Sequence, residues 1–113
     1  MTFRTVDVMF YDTPEEWYGW PISSRFEAQD FAIDVAHAQG ADRVEVMLRR
    51  SGHPDEAPMP LVGRVVSIAE STSGPIVFID GDRLNDDHSM RGLYFVMPVS
   101  CIRRVLSRRV AAI

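Results

Sequence analysis

The chain of 113 residues has 16 acidic and 12 basic residues and a formal net charge of −4. This balance opposes sequence-independent binding to nucleic-acid phosphates, which needs a broad basic surface. With 46% hydrophobic and 25% charged residues, the composition is that of a folded protein. A chain of this length predicts a single domain, over residues 1–113. No run approaches the roughly 18 apolar residues of a membrane span, so we expect no membrane partner.

The single cysteine, Cys101, excludes an intramolecular disulfide and a multi-cysteine zinc site, as is typical of a reducing compartment. The N-terminus lacks a basic segment followed by an apolar run, so we expect no signal peptide and a cytoplasmic location. All twelve basic residues are arginine, which favours a GC-rich genome and a bacterial or phage source. Residues 1–63 hold most of the acids, whereas residues 64–113 are slightly basic.

The first third of the chain predicts one strand and one main helix. Residues 5–11 alternate apolar and polar side chains as a strand does, and residues 12–16 indicate one helical turn. Ser24 and Glu27 have the spacing of a helix capping box, which opens a predicted helix over residues 24–39 that ends at Gly40. Its apolar face would pack on a sheet through Phe31 and Val35.

The rest of the chain predicts strands separated by turns. Residues 43–50, 61–70, 75–80 and 93–99 are β-rich, and the segments between them contain glycine, proline and serine. Ile102, Val105 and Leu106 fit either a last strand or a helix. The predicted fold class is therefore α+β: an N-terminal strand and one main helix packed on a curved five-stranded antiparallel barrel.

This layout over residues 23–106 resembles the Sm-like fold and other SH3-like small β-barrels. Gly63 lies where such barrels bend their second strand, and residues 98–102 are similar to the short turn before their last strand. The resemblance implies an N-terminal helix, five bent strands, ring assembly and binding of uridine-rich RNA through an aspartate and an asparagine. The matching link, residues 69–75, has neither residue, so ring assembly and RNA binding are not carried over. Residues 1–22 and the tail at 107–113 lie outside the resemblance.

The aromatic residues Trp17, Tyr18 and Trp20 form the predicted protein-binding site. Both tryptophans of the chain lie here, beside Gly19 and Pro21, and exposed aromatic side chains often anchor protein interfaces. The alternative is that these rings cap an open end of the barrel.

Four arginines, Arg103, Arg104, Arg108 and Arg109, are the candidate nucleic-acid-binding residues. A charged fringe at a barrel edge explains them without any ligand, and an acidic protein partner is a further reading.

Other chemical sites are not supported by spacing. Glu27, Asp30, Asp34 and His37 would form one polar stripe on the predicted helix, but one helix cannot close a di-metal site. The oxygen-rich loop 80–88 departs from the calcium-loop pattern, and Cys101 has no base beside it in any recognisable motif. We expect no catalytic residue, no metal and no cofactor.

These observations predict a non-catalytic protein-interaction module, with a bacterial or phage accessory factor as the expected class. The alternative is an RNA-binding Sm-like protein, and a more distant one is a metal-dependent enzyme. Partner identity and homo-oligomer formation stay open.

Overall fold

The computed structural model describes residues 2–10, 16–17, 19–81 and 93–110. Its elements in chain order are β1 (Phe3–Phe10), β2 (Glu16–Trp17), β3 (Trp20–Pro21), β4 (Phe26–Gln29), α1 (Val35–Ala38), β5 (Ala41–Arg50), β6 (Met59–Ser71), β7 (Gly74–Gly81), β8 (Leu93–Pro98), a 3₁₀ turn (Val99–Cys101) and β9 (Ile102–Arg108).

Six antiparallel strands close into a small barrel in the order β4–β1–β8–β7–β6–β5, and β5 pairs back to β4. The long strand β5 makes closure possible because its two halves have different partners on the same edge. Its end at residues 48–50 pairs with β4, and residues 41–46 pair with β9. Strands β2 and β3 form a separate two-stranded ribbon.

The barrel interior is filled by the inward-facing side chains of alternating residues. In β8, Leu93, Phe95 and Met97 are buried while the residues between them are only partly so. In β5, Val44, Val46 and Leu48 are likewise buried at a spacing of two, although Glu45 between the two valines is buried as well. This period of two is the pattern from which the strands of the second half were predicted.

The predicted α+β class with a main helix is wrong, because the structure is nearly all β. Residues 24–39 do not form one helix: Phe26–Gln29 form strand β4, and only Val35–Ala38 form a helical turn. Tertiary pairing decides the outcome, because β4 fills the gap between β1 and β5 and every residue of β4 has a strand partner. Phe31 is half-buried and lies outside the core cluster, so its predicted packing role is also wrong.

The segment after β4 is held by side-chain caps instead of by a helix. Asp30 accepts a hydrogen bond of 2.8 Å from the backbone N–H of Ala32, which has a positive φ of 57°. Asp34 caps α1 by accepting from the backbone N–H of His37. These local bonds compete with helix formation, as short polar side chains do when tertiary packing favours another path.

The predicted strands of the second half are present, with ends that differ from the predicted ones. The C-terminal segment, for which the sequence allowed a strand or a helix, is the strand β9. Strand β6 passes from one partner to the next near Gly63: it pairs with β5 as far as Arg64 and with β7 from Gly63 onwards. A register shift between Val65 and Ser67 follows directly. The glycine at which the resemblance predicts a bend therefore lies where β6 changes its pairing partner.

Candidate functional site

The two tryptophans of the predicted protein-binding site are buried, at 3% and 6% exposure. They lie directly opposite each other on the β2–β3 ribbon. The Trp17 ring lies 4.9 Å from Phe95 and edge-on to Phe26, and the Trp20 ring lies 5.1 Å from Phe26. The ribbon thus caps one end of the barrel, as in the alternative considered from the sequence. Tyr18 lies outside the described residues, and a partner-binding role for the segment stays a prediction.

The four C-terminal arginines contact groups of their own chain. Glu45 accepts from Arg104 Nε at 3.0 Å, and its same oxygen, Oε1, lies 3.5 Å from Arg103 Nη1. Arg108 donates to the backbone carbonyls of Gln39 and His37.

Arg109 donates to the carbonyl of Val65 and lies 3.9 Å from Asp42. The fringe of β9 therefore helps to hold the barrel edge together, although its guanidinium groups remain partly exposed.

A bulge explains why two consecutive arginines reach one carboxylate. Neighbouring side chains on a regular strand point to opposite faces. Here Glu45 pairs with Arg104 whereas Val46 pairs with Ile102, so Arg103 is the extra residue of the bulge. The shift turns both arginines toward Glu45, whose side chain is only 11% exposed.

The polar residues considered as a metal stripe are separated by the fold. Glu27 pairs with Arg49 at 3.1 Å, Asp30 pairs with Arg4 at 2.7 Å, and Asp34 caps α1. The hydrogen bond from Ala32, with Arg4 adding to it, lowers the pKa of Asp30.

Within the ranges that the structure describes, no group of three or more histidine, cysteine, aspartate or glutamate side chains is placed to hold a metal. Most of loop 80–88 lies outside those ranges. Among the same residues, no helix has the length and apolarity to cross a membrane.

Cys101 lies in the 3₁₀ turn between β8 and β9 and is fully buried. Burial raises the pKa of its thiol to about 11. Because the thiolate is the reactive form, a thiol with this pKa is almost entirely protonated at neutral pH. The geometry is that of a structural cysteine.

We expect Cys101 to resist alkylation in the folded protein. At pH 7.5 less than about one thiol in a thousand is ionised, and burial also blocks the reagent. Labelling with iodoacetamide followed by mass spectrometry should show almost no adduct in native buffer and complete modification in denaturant. A native chain that reacts as fast as the unfolded one would contradict this position for the side chain.

A groove opens where β1 and β4 diverge, and no sequence pattern indicated it. Residues Phe3–Val6 of β1 pair with β4, but from Asp7 to Phe10 β1 pairs only with β8 among the described residues. The chain before β4 turns away instead of following β1. The resulting groove has a volume of about 220 Å³ and is lined by Val6, Asp7, Val8, Phe10, Ile22, Ser23, Ser24 and Arg25.

The groove has an apolar floor and a polar rim. Val6 is buried, whereas Val8, Phe10 and Ile22 pack against the core and remain half-buried. At the rim Arg25 lies 3.6 Å from Asp7, and both side chains are mostly exposed. A groove smaller than the roughly 300–1,000 Å³ of small-molecule sites suits one apolar side chain of a larger partner.

The backbone of β1 is the second element of this site. In an antiparallel strand the N–H and C=O groups of one residue point to one edge of the strand, and those of the next residue point to the other edge. Between Asp7 and Phe10 one edge is used by β8, and the described residues provide no strand for the other edge. An unpaired edge beside an apolar groove can accept an extended peptide as an added strand.

Comparison of the chain with protein-family models, with curated proteins and with solved structures finds no match. The geometry described above is therefore the basis for assigning a function.

Proposed function

We propose that this protein is a non-catalytic protein-interaction module that binds an extended segment of a partner at the groove beside β1. The observation that carries the proposal is the edge of β1 from Asp7 to Phe10 with which no described strand pairs, next to a groove with an apolar floor. The edge would supply backbone hydrogen bonds, and Val8, Phe10 and Ile22 would receive one apolar side chain. The small barrel, which we assign to the SH3-like or Sm-like class, serves as a rigid support.

A bacterial or phage accessory factor in the cytoplasm is the setting that best fits the all-arginine composition and the lone reduced cysteine. The RNA-binding and metal-dependent alternatives remain predictions. The separation of Glu27, Asp30 and Asp34 into an ion pair, an ion pair and a cap gives the metal-dependent alternative no support.

Peptide selection tests the groove directly. Octapeptides selected from a random library on the immobilised protein should contain an apolar anchor residue and should bind in fluorescence anisotropy. We expect Val8→Arg to weaken binding by at least about tenfold, because it places a charge on the apolar floor. Met9→Arg is the matched control, since Met9 is the next residue of β1 and is 43% exposed.

A second measurement does not depend on the folding of a variant. N-methylation of alternate amides removes the donors from one edge of the peptide, so one of the two methylation patterns should abolish binding while the other leaves it intact. Equal binding of both methylated peptides, equal effects of the two arginine variants, or the absence of any selected peptide would refute the groove as the binding site.

A further inference from the structure

Among the described residues, four arginines on the outer surface of β6, of β9 and directly after β9 form ion pairs with two carboxylates of β5. We call Arg64, Arg103, Arg104 and Arg109 the basic face. Glu45 lies between Arg103 and Arg104, at 3.5 and 3.0 Å. Asp42 lies between Arg64 and Arg109, at 3.9 Å from each. Within these four ion pairs two arginines face each carboxylate, so the arginines outnumber the carboxylates by two.

The carboxylates of the basic face are more buried than its arginines, so the excess positive charge lies at the surface. The carboxylates lie underneath, with side-chain exposures of 11% for Glu45 and 33% for Asp42. The four arginine side chains are between 43% and 59% exposed and form the outer layer. A ligand that approaches this face meets guanidinium groups before it meets carboxylates, so the local potential favours an anion.

The described ion pairs elsewhere on the protein have a different stoichiometry. Arg4, Arg25, Arg49 and Arg50 each pair with one carboxylate, which leaves no surplus. On a chain with a net charge of −4, two positive clusters next to each other are a local exception. Asp42 and Glu45 lie three residues apart on β5, which corresponds to roughly 10 Å along a strand.

Two exposed apolar side chains accompany the arginines. Leu106 of β9 is 45% exposed and Val66 of β6 is 50% exposed. Leu106 follows two residues after Arg104, and Val66 adjoins Val65, whose carbonyl accepts from Arg109. A nucleic-acid backbone offers nothing apolar to such positions, whereas a peptide segment with both acidic and apolar residues complements them.

We infer that the basic face docks an acidic segment of a partner protein, about 10 Å in span, that has carboxylates over the two clusters and an apolar side chain against Leu106 or Val66. The overall negative charge of the chain disfavours a long polyanion, because a nucleic acid extends beyond the basic face into repulsive surface. This surface lies on β5, β6 and β9 and is separate from the groove beside β1, so either site stands or fails without the other.

The test uses a fluorescein-labelled dodecapeptide of four repeated Glu-Glu-Leu units. An oligo-uridine of twelve nucleotides is titrated separately, so that its affinity can be compared with that of the peptide. In anisotropy titrations at about 50 mM salt the peptide should bind, and binding should weaken markedly at about 500 mM. The double variant R64Q/R104Q leaves each carboxylate one arginine, so the barrel edge keeps its ion pairs. We expect it to reduce peptide affinity by about tenfold.

The matched control R4Q/R50Q removes the same charge outside the basic face and should change affinity by less than about twofold. Leu106→Ser should weaken this peptide but leave a poly-glutamate peptide unaffected. Absence of binding at low salt, equal losses in the two double variants, or tighter binding of oligo-uridine than of the peptide would overturn the proposal. The last outcome would instead favour recognition of a phosphate backbone.

Discussion

Trp17→Ala should lower the free energy of unfolding by about 3–5 kcal/mol, as large truncations of buried aromatic residues do. The indole is 3% exposed and packs against the rings of Phe26 and Phe95, which lie on the two strands that flank β1. Removing it opens the capped end of the barrel and leaves a cavity against two rings. For a domain of this size the loss is a large share of a total stability of about 5–15 kcal/mol.

Urea unfolding followed by circular dichroism measures this change without relying on tryptophan fluorescence. Trp17→Phe keeps a ring in the site and should cost less than the alanine variant. Phe31→Ala, at a half-buried residue outside the core cluster, should cost only about 1 kcal/mol. A Trp17→Ala protein as stable as its parent would show that the indole is not part of the core and that the aromatic segment is an exposed surface.

Gly63→Ala should destabilise the protein by about 1–3 kcal/mol through overpacking. A Cβ at this position would collide with a side-chain methyl of Ile79 and would lie 2.8 Å from the carbonyl oxygen of Asp80. Gly63 pairs with Val44 on one side and with Gly81 on the other, so the backbone is held from both edges. The strand cannot move away without breaking one of these pairings.

A double-mutant cycle with Ile79→Leu separates the two contacts. Leucine conserves the volume of isoleucine but has no branch at Cβ, so it should relieve the collision with the methyl group and recover part of the loss. The clash with the Asp80 carbonyl remains. Purely additive effects in the cycle would mean that the side chain of Ile79 is not what limits this position.

The local sequence pattern predicts the strands of the second half but not the structure of the segment that was expected to be a helix. Val44, Val46 and Leu48 recur at every second position, and this period of two predicts a strand, which is β5. Phe26 and Ala28 fit a period of two, but Ala28 also has helical spacings of three and four to Phe31 and Ala32, so local spacing does not decide between a strand and a helix. The choice depends on pairing with β1 and β5, which is a contact between distant parts of the chain.

The candidate sites show the same limit. Clustering of Trp17 and Trp20 is visible in the sequence, but whether the rings face the barrel or the solvent depends on Phe26 and Phe95, which arrive from other strands. The groove was not predictable because it depends on how residues 22–25, which are distant in sequence from β1, lie beside that strand. The sharing of Glu45 by two arginines depends on a bulge, and a bulge has no signature in the residues involved.

The position of β1 in the barrel sets the order in which the chain can complete its fold. This strand has one neighbour nearby in sequence, β4, and another close to the C-terminal end, since Val8 pairs with Phe95. During synthesis the edge of β1 that β8 covers stays open until residues 93–98 have emerged from the ribosome. Contacts between such distant residues fold slowly, in milliseconds to seconds for barrels of this type.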